Sequence, residues 1–202
     1  MTLMNDTFAQ IQKHLLDDKQ PSIYFNEVSE TLLFEQYPLI LLNKLKHTMQ
    51  SPKHHPEGNV WNHTMLVVDE AAKVKNESND RKVFMWSALL HDIGKPDTTR
   101  NRKGKITSYD HDKVGAELAR KFLVEFTDDE VFIEKVVELI RWHMQILFVV
   151  NDLPFADIKT MKVKTDIKEV ALLGLCDRLG RLEVNRRLEE SNIKLFLQKA
   201  SR

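Results

Sequence analysis

Six side chains of this 202-residue chain, His63, His91, Asp92, His111, His143 and Asp177, are of types that bind divalent metal ions, and two of them are adjacent. Imidazole nitrogen and carboxylate oxygen together suit borderline-to-hard divalent cations, and a cation held this way can acidify water for hydrolysis. The His-Asp pair lies in Ala88-Leu89-Leu90-His91-Asp92-Ile93-Gly94-Lys95-Pro96, an apolar helical run that stops at Gly and Pro. Neighbours within a helix point about 100° apart. Both members of the pair can therefore face one ion only where the backbone leaves the helix, a departure that Gly94 and Pro96 supply. Two His (His63, His91) and two carboxylates (Asp92, Asp177) would leave a divalent ion near neutral charge. An octahedral ion would keep two positions open for water and substrate oxygens, while the metal stabilises the charge that grows as water attacks phosphorus. His111 and His143 could hold a second ion with Asp92 bridging, or contact the phosphate and protonate the leaving oxygen. His14, His47, His54 and His55 read as surface or satisfied histidines, and either of the last two could touch substrate from a turn ahead of His63.

These residues must be positioned by helices. Phe8, Ile11 and Leu15 recur at helical spacing, as do Met65, Val68 and Ala72 in the segment that begins near Trp61 and carries His63. A third helix is expected from Asp80 to His91, burying Val83, Phe84, Ala88 and Leu89, followed by a loop over 94–109. A fourth should span 111–126 on an apolar stripe of Val114, Leu118 and Phe122. Thr127-Asp128-Asp129-Glu130 reads as a capping box that starts a helix running to about Met144. Pro154 can start a short helix over 155–161. A last long pattern over 166–198, with Val170, Leu173, Leu175, Leu179 and Leu182, carries Asp177. Strand-like alternation is scarce and there is no repeat or linker, so the expectation is an all-α, single-domain helical bundle over residues 1–202.

The composition limits the alternatives. Hydrophobic residues are 42% and charged residues 30% of the chain, ordinary for a globular protein with a substantial core. No run approaches the roughly 18 apolar residues of a membrane helix. Met1-Thr2-Leu3-Met4-Asn5-Asp6 lacks the pattern of a secretory signal, and the single Cys176 excludes both an internal disulfide and a Cys-rich zinc site. A cytoplasmic protein is expected. A formal net charge of zero favours no polyanion globally and leaves the oligomeric state open, so nucleic-acid contact would rest on a local patch. The dense basic run is Arg100-Asn101-Arg102-Lys103-Gly104-Lys105, in the loop beside the pair. It could draw in a nucleotide or an RNA end, or be a mobile charged loop. Lys95 either neutralises a phosphate or is a solvated lysine; Arg178, Arg181 and Arg141 either reach phosphate or pair with carboxylates. Asp112 is either a partner that orients a ligand His or a helix N-terminal acid. Trp61, Trp86 and Trp142 sit in apolar helical runs and read as core anchors.

The ordered set resembles the HD-domain superfamily of metal-dependent phosphohydrolases. His91-Asp92-Ile93-Gly94-Lys95 looks like its HD motif, with His63 and Asp177 matching the flanking ligands. Two longer stretches, Pro52 to Thr64 and His91–Pro96 followed by Tyr109 to Ala116, are similar to the HD region of bacterial CCA-adding enzymes (tRNA nucleotidyltransferases). The likeness covers about residues 50–180, within an HD core expected over about 38–185. Those enzymes carry a nucleotidyltransferase head with a Gly-rich loop and an Asp-x-Asp metal pair. Here only 62 residues precede His63, no two glycines lie within five positions, and the sole Asp-x-Asp, Asp110-His111-Asp112, follows the HD pair. Polymerisation is not expected. The resemblance implies a stand-alone phosphohydrolase of the 2′,3′-cyclic phosphodiesterase, 2′-nucleotidase or phosphatase type. It would act on a nucleotide or small phosphate ester with one or two divalent ions (Mn, Fe, Co or Ni, with Mg or Zn as options). Primary ligands would be His63, His91, Asp92 and Asp177, with His111 and His143 as second-ion or phosphate contacts, Asp92 and Lys95 catalytic, and Lys95 and Arg181 on substrate. Competing readings are a non-catalytic nucleotide- or RNA-binding module and another HD hydrolase, a deoxynucleotidase or alarmone hydrolase.

Overall fold

The first amides of a helix have no partner inside it, so side chains that accept from them decide where helices begin. A computed structural model describes residues 2–202, leaving Met1 outside. In chain order the helices are α1 (Thr2–Asp17), α2 (Pro21–Val28), α3 (Ile40–Asn43), α4 (Val60–Val74), α5 (Arg81–Leu90) and α6 (Lys95–Thr98). After a hairpin of β1 (Arg100–Arg102) and β2 (Lys105–Thr107) come α7 (His111–Leu123), α8 (Glu130–Trp142), α9 (Gln145–Val150), α10 (Ile158–Lys164), α11 (Ile167–Leu179) and α12 (Arg186–Ala200). Asn59, Asp80, Asp129, Asp157, Asp166 and Asn185 accept from amides in the first turns of α4, α5, α8, α10, α11 and α12.

The fold is all-α in one domain, as expected, apart from the hairpin. Its axis is α5, in which every residue from Val83 to Leu90 is buried. A helix apolar all round needs neighbours on every side, and α1, α4, α8 and α11 pack against it. The buried cluster reaches beyond residues 38–185, from Ile11, Leu15 and Phe25 to Ile193, Phe196 and Ala200. Phe8 stacks on Trp86 with ring centroids 4.9 Å apart, docking α1 on the axis. Trp61, Trp86 and Trp142 are all buried. Among the described residues, no helix is long and apolar enough to cross a membrane.

Several boundaries differ from the sequence expectation. The 94–109 segment contains α6 and the hairpin, whose turn places Lys103 and Gly104 at φ 51° and 80°. That pair of positive φ angles suits a two-residue antiparallel connection. Helix α7 stops at Leu123, and its buried face is Gly115, Ala116, Ala119, Phe122 and Leu123; Val114 and Leu118 are only half-buried. Asp129 rather than Thr127 caps α8, accepting from Phe132 N at 3.0 Å, while the Thr127 hydroxyl accepts from the Asp129 amide. The region around Pro154 is non-helical, and α10 starts instead at the Asp157 cap, which accepts from Thr160 N at 3.1 Å. The pattern over 166–198 breaks into α11 and α12 beyond Leu179, leaving Leu182 half exposed.

Two glycines allow the close approaches that assemble the site. A Cβ on Gly94 would stand 2.3 Å from the His111 carbonyl oxygen and 2.5 Å from the Gly115 nitrogen, so the turn after α5 lies directly on the start of α7. A Cβ on Gly180 would meet Val67 Cγ2 at 2.5 Å and Val67 N at 2.9 Å, so the end of α11 lies directly on α4.

Candidate metal centre

His91 closes α5, and the chain then turns: Ile93 N donates to Leu90 O (3.0 Å) and Lys95 N to Asp92 O (2.9 Å) before α6 begins. This turn brings the adjacent His and Asp to one point. His63 comes from the first turn of α4, Asp177 from the last turn of α11, His111 from the start of α7 and His143 from the end of α8. The six side chains thus converge from five helices. Asp92 lies between them. Its Oδ2 is 3.2 Å from His91 Nε2 and 3.8 Å from His63 Nε2; its Oδ1 is 3.5 Å from His111 Nε2. Donor atoms of His63, His91 and Asp92 lie within 4.8 Å of one another, and so do those of Asp92, His111 and His143. Asp177 joins through Oδ1, 2.9 Å from His63 Nε2.

The histidine orientations are the most informative geometry. His91 Nδ1 donates to Ala88 O (2.9 Å), His111 Nδ1 to Ser108 O (2.6 Å) and His143 Nδ1 to Ile140 O (2.6 Å). His63 Nδ1 lies 3.0 Å from Glu57 Oε1 and 3.3 Å from Gly180 O. A carbonyl oxygen has no proton to give, so at His91, His111 and His143 Nδ1 carries the hydrogen and Nε2 faces inward, the orientation of a ligating imidazole, whereas His63 lies between the Glu57 and Asp177 carboxylates. Two consequences point to a cation. His91 Nε2 is buried with no hydrogen-bond partner. The Nε2 atoms of His111 and His143 are 3.2 Å apart, although both Nδ1 atoms are committed as donors, so in the neutral rings two lone pairs face each other. A shared positive charge relieves that arrangement.

The electrostatics agree. Burial alone would favour neutral carboxyls at Asp92 and Asp177, yet His91 and Lys95 hold Asp92 well below the usual carboxylate range, as Arg181 and His63 do for Asp177. Burial, then the neighbouring His111 and His91, push His143 down to about 4. Burial likewise lowers His111, against the pull of Asp92. At His63 burial also favours the neutral ring, but the hydrogen bonds to Asp177 and Glu57 prevail and raise its pKa. The centre therefore combines ionised carboxylates with imidazoles of which His111 and His143 are held neutral, a donor set that fits a divalent cation.

The loop between Thr48 and Val60 supplies two residues: Gln50, which the sequence does not single out, and Glu57, which it offers only as part of a turn ahead of His63 that shapes the pocket rim. Its neck is closed by Val60 N donating to Thr48 O (2.9 Å), which turns Gln50 and Glu57 inward. Gln50 Oε1 accepts from Lys95 Nζ at 2.6 Å, and Lys95 Nζ also lies 2.7 Å from Asp92 Oδ2. Lys95 is thus buried at the centre rather than solvated. Glu57 holds His55 Nδ1 (2.8 Å) as well as His63. A lone Glu in a turn carries no periodic signal; only its spacing of six from His63 hinted at a shared neighbourhood. Arg181 approaches Asp177 Oδ1 at 3.5 Å and leaves its Nε buried without a partner. Arg178 pairs with Glu189 (2.7 Å), and Asp112 pairs with Arg141 (2.5 Å) rather than orienting a histidine. His14, His47 and His54 lie outside the cluster, His14 paired with Asp18 and the other two exposed. His55 sits at its edge, its ring 4.7 Å from that of His63.

Comparison with known proteins places this geometry. The HD domain family model matches residues 60–182, which include all six converging side chains. A Multifunctional CCA protein of Hahella chejuensis is 26% identical over 129 residues, 63% of this chain and 29% of the relative. One from Halorhodospira halophila is 33% identical over 95 residues, 47% of this chain and 21% of the relative. One from Methylococcus capsulatus is 26% identical over 173 residues, 83% of this chain and 34% of the relative. The chain spans about a third, or less, of the length of these curated relatives.

Proposed function

The chain belongs to the HD domain family, and on that premise we propose that it is a cytoplasmic, metal-dependent phosphohydrolase acting as one unit over residues 1–202. Its substrates would be phosphomonoesters or cyclic phosphodiesters of nucleotides, of the 2′,3′-cyclic phosphodiesterase, nucleotidase or phosphatase type. The observation that carries the reading is the inward convergence of four histidine Nε2 atoms and Asp92, with each Nδ1 anchored behind them.

His63, His91, Asp92 and Asp177 would hold the primary divalent ion, and His111 with His143 a second ion or the phosphate. When bound, such an ion supplies Lewis acidity that lowers the pKa of water and offsets charge growing on the phosphoryl group. The chain's own residues do the rest. Asp92 presents one oxygen to each histidine set, so it is the carboxylate placed to serve both. Lys95 has three N–H donors; with Asp92 and Gln50 beside it, one remains for a phosphoryl oxygen. Arg181 Nε is a second spare buried donor and Arg181 also steadies Asp177. Glu57 and the carbonyls of Ala88, Ser108, Ile140 and Gly180 fix the rings, the role of outer partners in metal sites.

The test is a panel of nucleoside monophosphates, 2′,3′-cyclic nucleotides and an aryl phosphate, run against Mn, Fe(II), Co, Ni, Mg and Zn, with metal analysis of the purified protein. Hydrolysis in at least one transition metal, abolished in His91→Ala, is the expected result. No bound metal and no turnover across the whole series would overturn the reading.

A further inference from the structure

The β1–β2 hairpin carries a face of positive charge that nothing else in the described chain answers. Side chains alternate along a strand, so Arg100 and Arg102 share one face, and their cross-strand partners Thr107 and Lys105 share it with them. Arg102 stands directly opposite Lys105. Like charges so placed destabilise a ladder. Among the described residues, none of these three cations has a carboxylate partner; Arg100 reaches only the Asp97 and Thr99 carbonyls. All three are exposed, while Ile106 on the opposite face is half-buried.

The hairpin rises from the rim of the metal centre. Thr99 Oγ1 and Ser108 Oγ join its base at 2.7 Å, and the Ser108 carbonyl is the one that holds His111. Between Ser108 and His111 stands Tyr109, 71% exposed, an aromatic ring with free faces beside the site. Cations in a row with an exposed aromatic at their end are the elements of single-strand recognition, since phosphates take the charges and a base takes the ring. A free mononucleotide seated at the histidines would leave this face without a partner.

We propose that Arg100, Arg102, Lys105 and Tyr109 hold a single-stranded RNA end, so that the group presented to the metal centre is the terminal phosphate of an oligonucleotide. The identity of the reacting group rests on the hydrolase reading; the binding of the strand does not.

The measurement is fluorescence anisotropy of a short labelled oligoribonucleotide with the full chain and no added metal, as a function of salt. The parent should bind, with affinity falling as salt rises. R100A/R102A/K105A should bind at least about tenfold more weakly, with the log–log salt slope reduced by about 2, given about 0.7 for each single-strand phosphate neutralised. Y109A should weaken binding and Y109F restore it, because stacking needs the ring and not the hydroxyl. R102T, which removes one of the opposed charges, should keep the parent's melting temperature or raise it, so that lost binding is separable from lost folding. No binding by the parent, equal binding by the triple variant, or binding to anionic lipid vesicles in place of RNA would overturn the proposal. Equal turnover of oligonucleotide and mononucleotide phosphates, with a ratio the triple variant leaves unchanged, would overturn it while leaving the hydrolase reading intact. Absence of all turnover, with RNA binding still lost in the triple variant, would remove the hydrolase reading and support the strand site.

Discussion

At the residue scale, the proposed metal centre would depend on side chains that do not themselves meet an ion. Glu57 touches His63 at Nδ1, the side away from the cluster, and its carboxylate is held ionised by the histidines despite its burial. Replacing it with Gln keeps a hydrogen-bond acceptor for the ring but removes the charge. Outer partners of ligating histidines are typically worth about 10–100-fold in metal affinity or activity. Glu57→Gln should therefore raise the metal concentration for half-maximal activity by about tenfold, while activity at saturating metal changes less; a metal titration of turnover reads this directly. An unchanged half-maximal concentration would show that the Gly180 carbonyl alone orients His63. The contrast with the proposed ligands explains what was legible in the sequence. His63, His91, Asp92, His111, His143 and Asp177 announce themselves by chemical type and by the adjacent pair. Glu57 and Gln50 do not, because a closed loop brings them in and only the fold says which way a loop faces.

At the element scale, helices were legible by period while their ends were set by local hydrogen bonds and close approach. The Thr127–Glu130 run contains two candidate caps, and the one whose side chain reaches an unpaired amide is Asp129. Losing an N-cap typically costs about 1 kcal/mol. Asp129→Ala should therefore destabilise the protein by about that amount, and Thr127→Ala by clearly less, as compared by denaturant melts; the reverse order would restore Thr127 as the cap. The glycines make a sharper case. Gly94 meets backbone at 2.3 Å, which no rotamer change can relieve, whereas a Cβ on Gly115 finds its nearest neighbours at 3.4 Å. Overpacking typically costs about 1–3 kcal/mol, and Ala in a helix interior is better than Gly by about 1 kcal/mol. Gly94→Ala should thus lower stability by about 3 kcal/mol and activity with it, because it separates the His91-Asp92 turn from His111. Gly115→Ala, on the facing helix, should melt within about 1 kcal/mol of the parent. Sequence periodicity ran through 166–198 without a break because Leu182 continued the apolar pattern; the break comes where Gly180 packs on Val67, a contact between distant segments.

At the scale of the whole molecule, the centre joins elements from both halves of the chain, so an ion there should act as a fastening for the entire fold. His63 in α4, the His91-Asp92 turn after α5, His111 in α7, His143 after α8 and Asp177 in α11 would all be tied by it. Without an ion, the buried carboxylates and inward imidazoles are held only by packing and by the contacts of Lys95 with Asp92 and Gln50 and of His63 and Arg181 with Asp177. A ligand bound only by the folded state stabilises it by about 2.7 kcal/mol at a concentration 100 times its dissociation constant. In a protein of this size that amounts to about 5–10 °C in melting temperature. Cys176 provides an independent readout, because the chain's single thiol is 2% exposed in α11, next to Asp177, and becomes reachable only when that helix leaves the core. Saturating Mn, Co or Ni should raise the melting temperature of the parent by that amount and slow alkylation of Cys176 in parallel, with chelator reversing both. His91→Ala should lose most of the metal-induced gain in both measurements, and Lys113→Ala, on an exposed pair with Asp110, should keep it. A melting temperature that rises equally in His91→Ala would place the stabilising ion elsewhere on the molecule. Rapid labelling of the metal-loaded parent under native conditions would mean that α11 opens without releasing the ion, and Asp177 would then not be among its ligands.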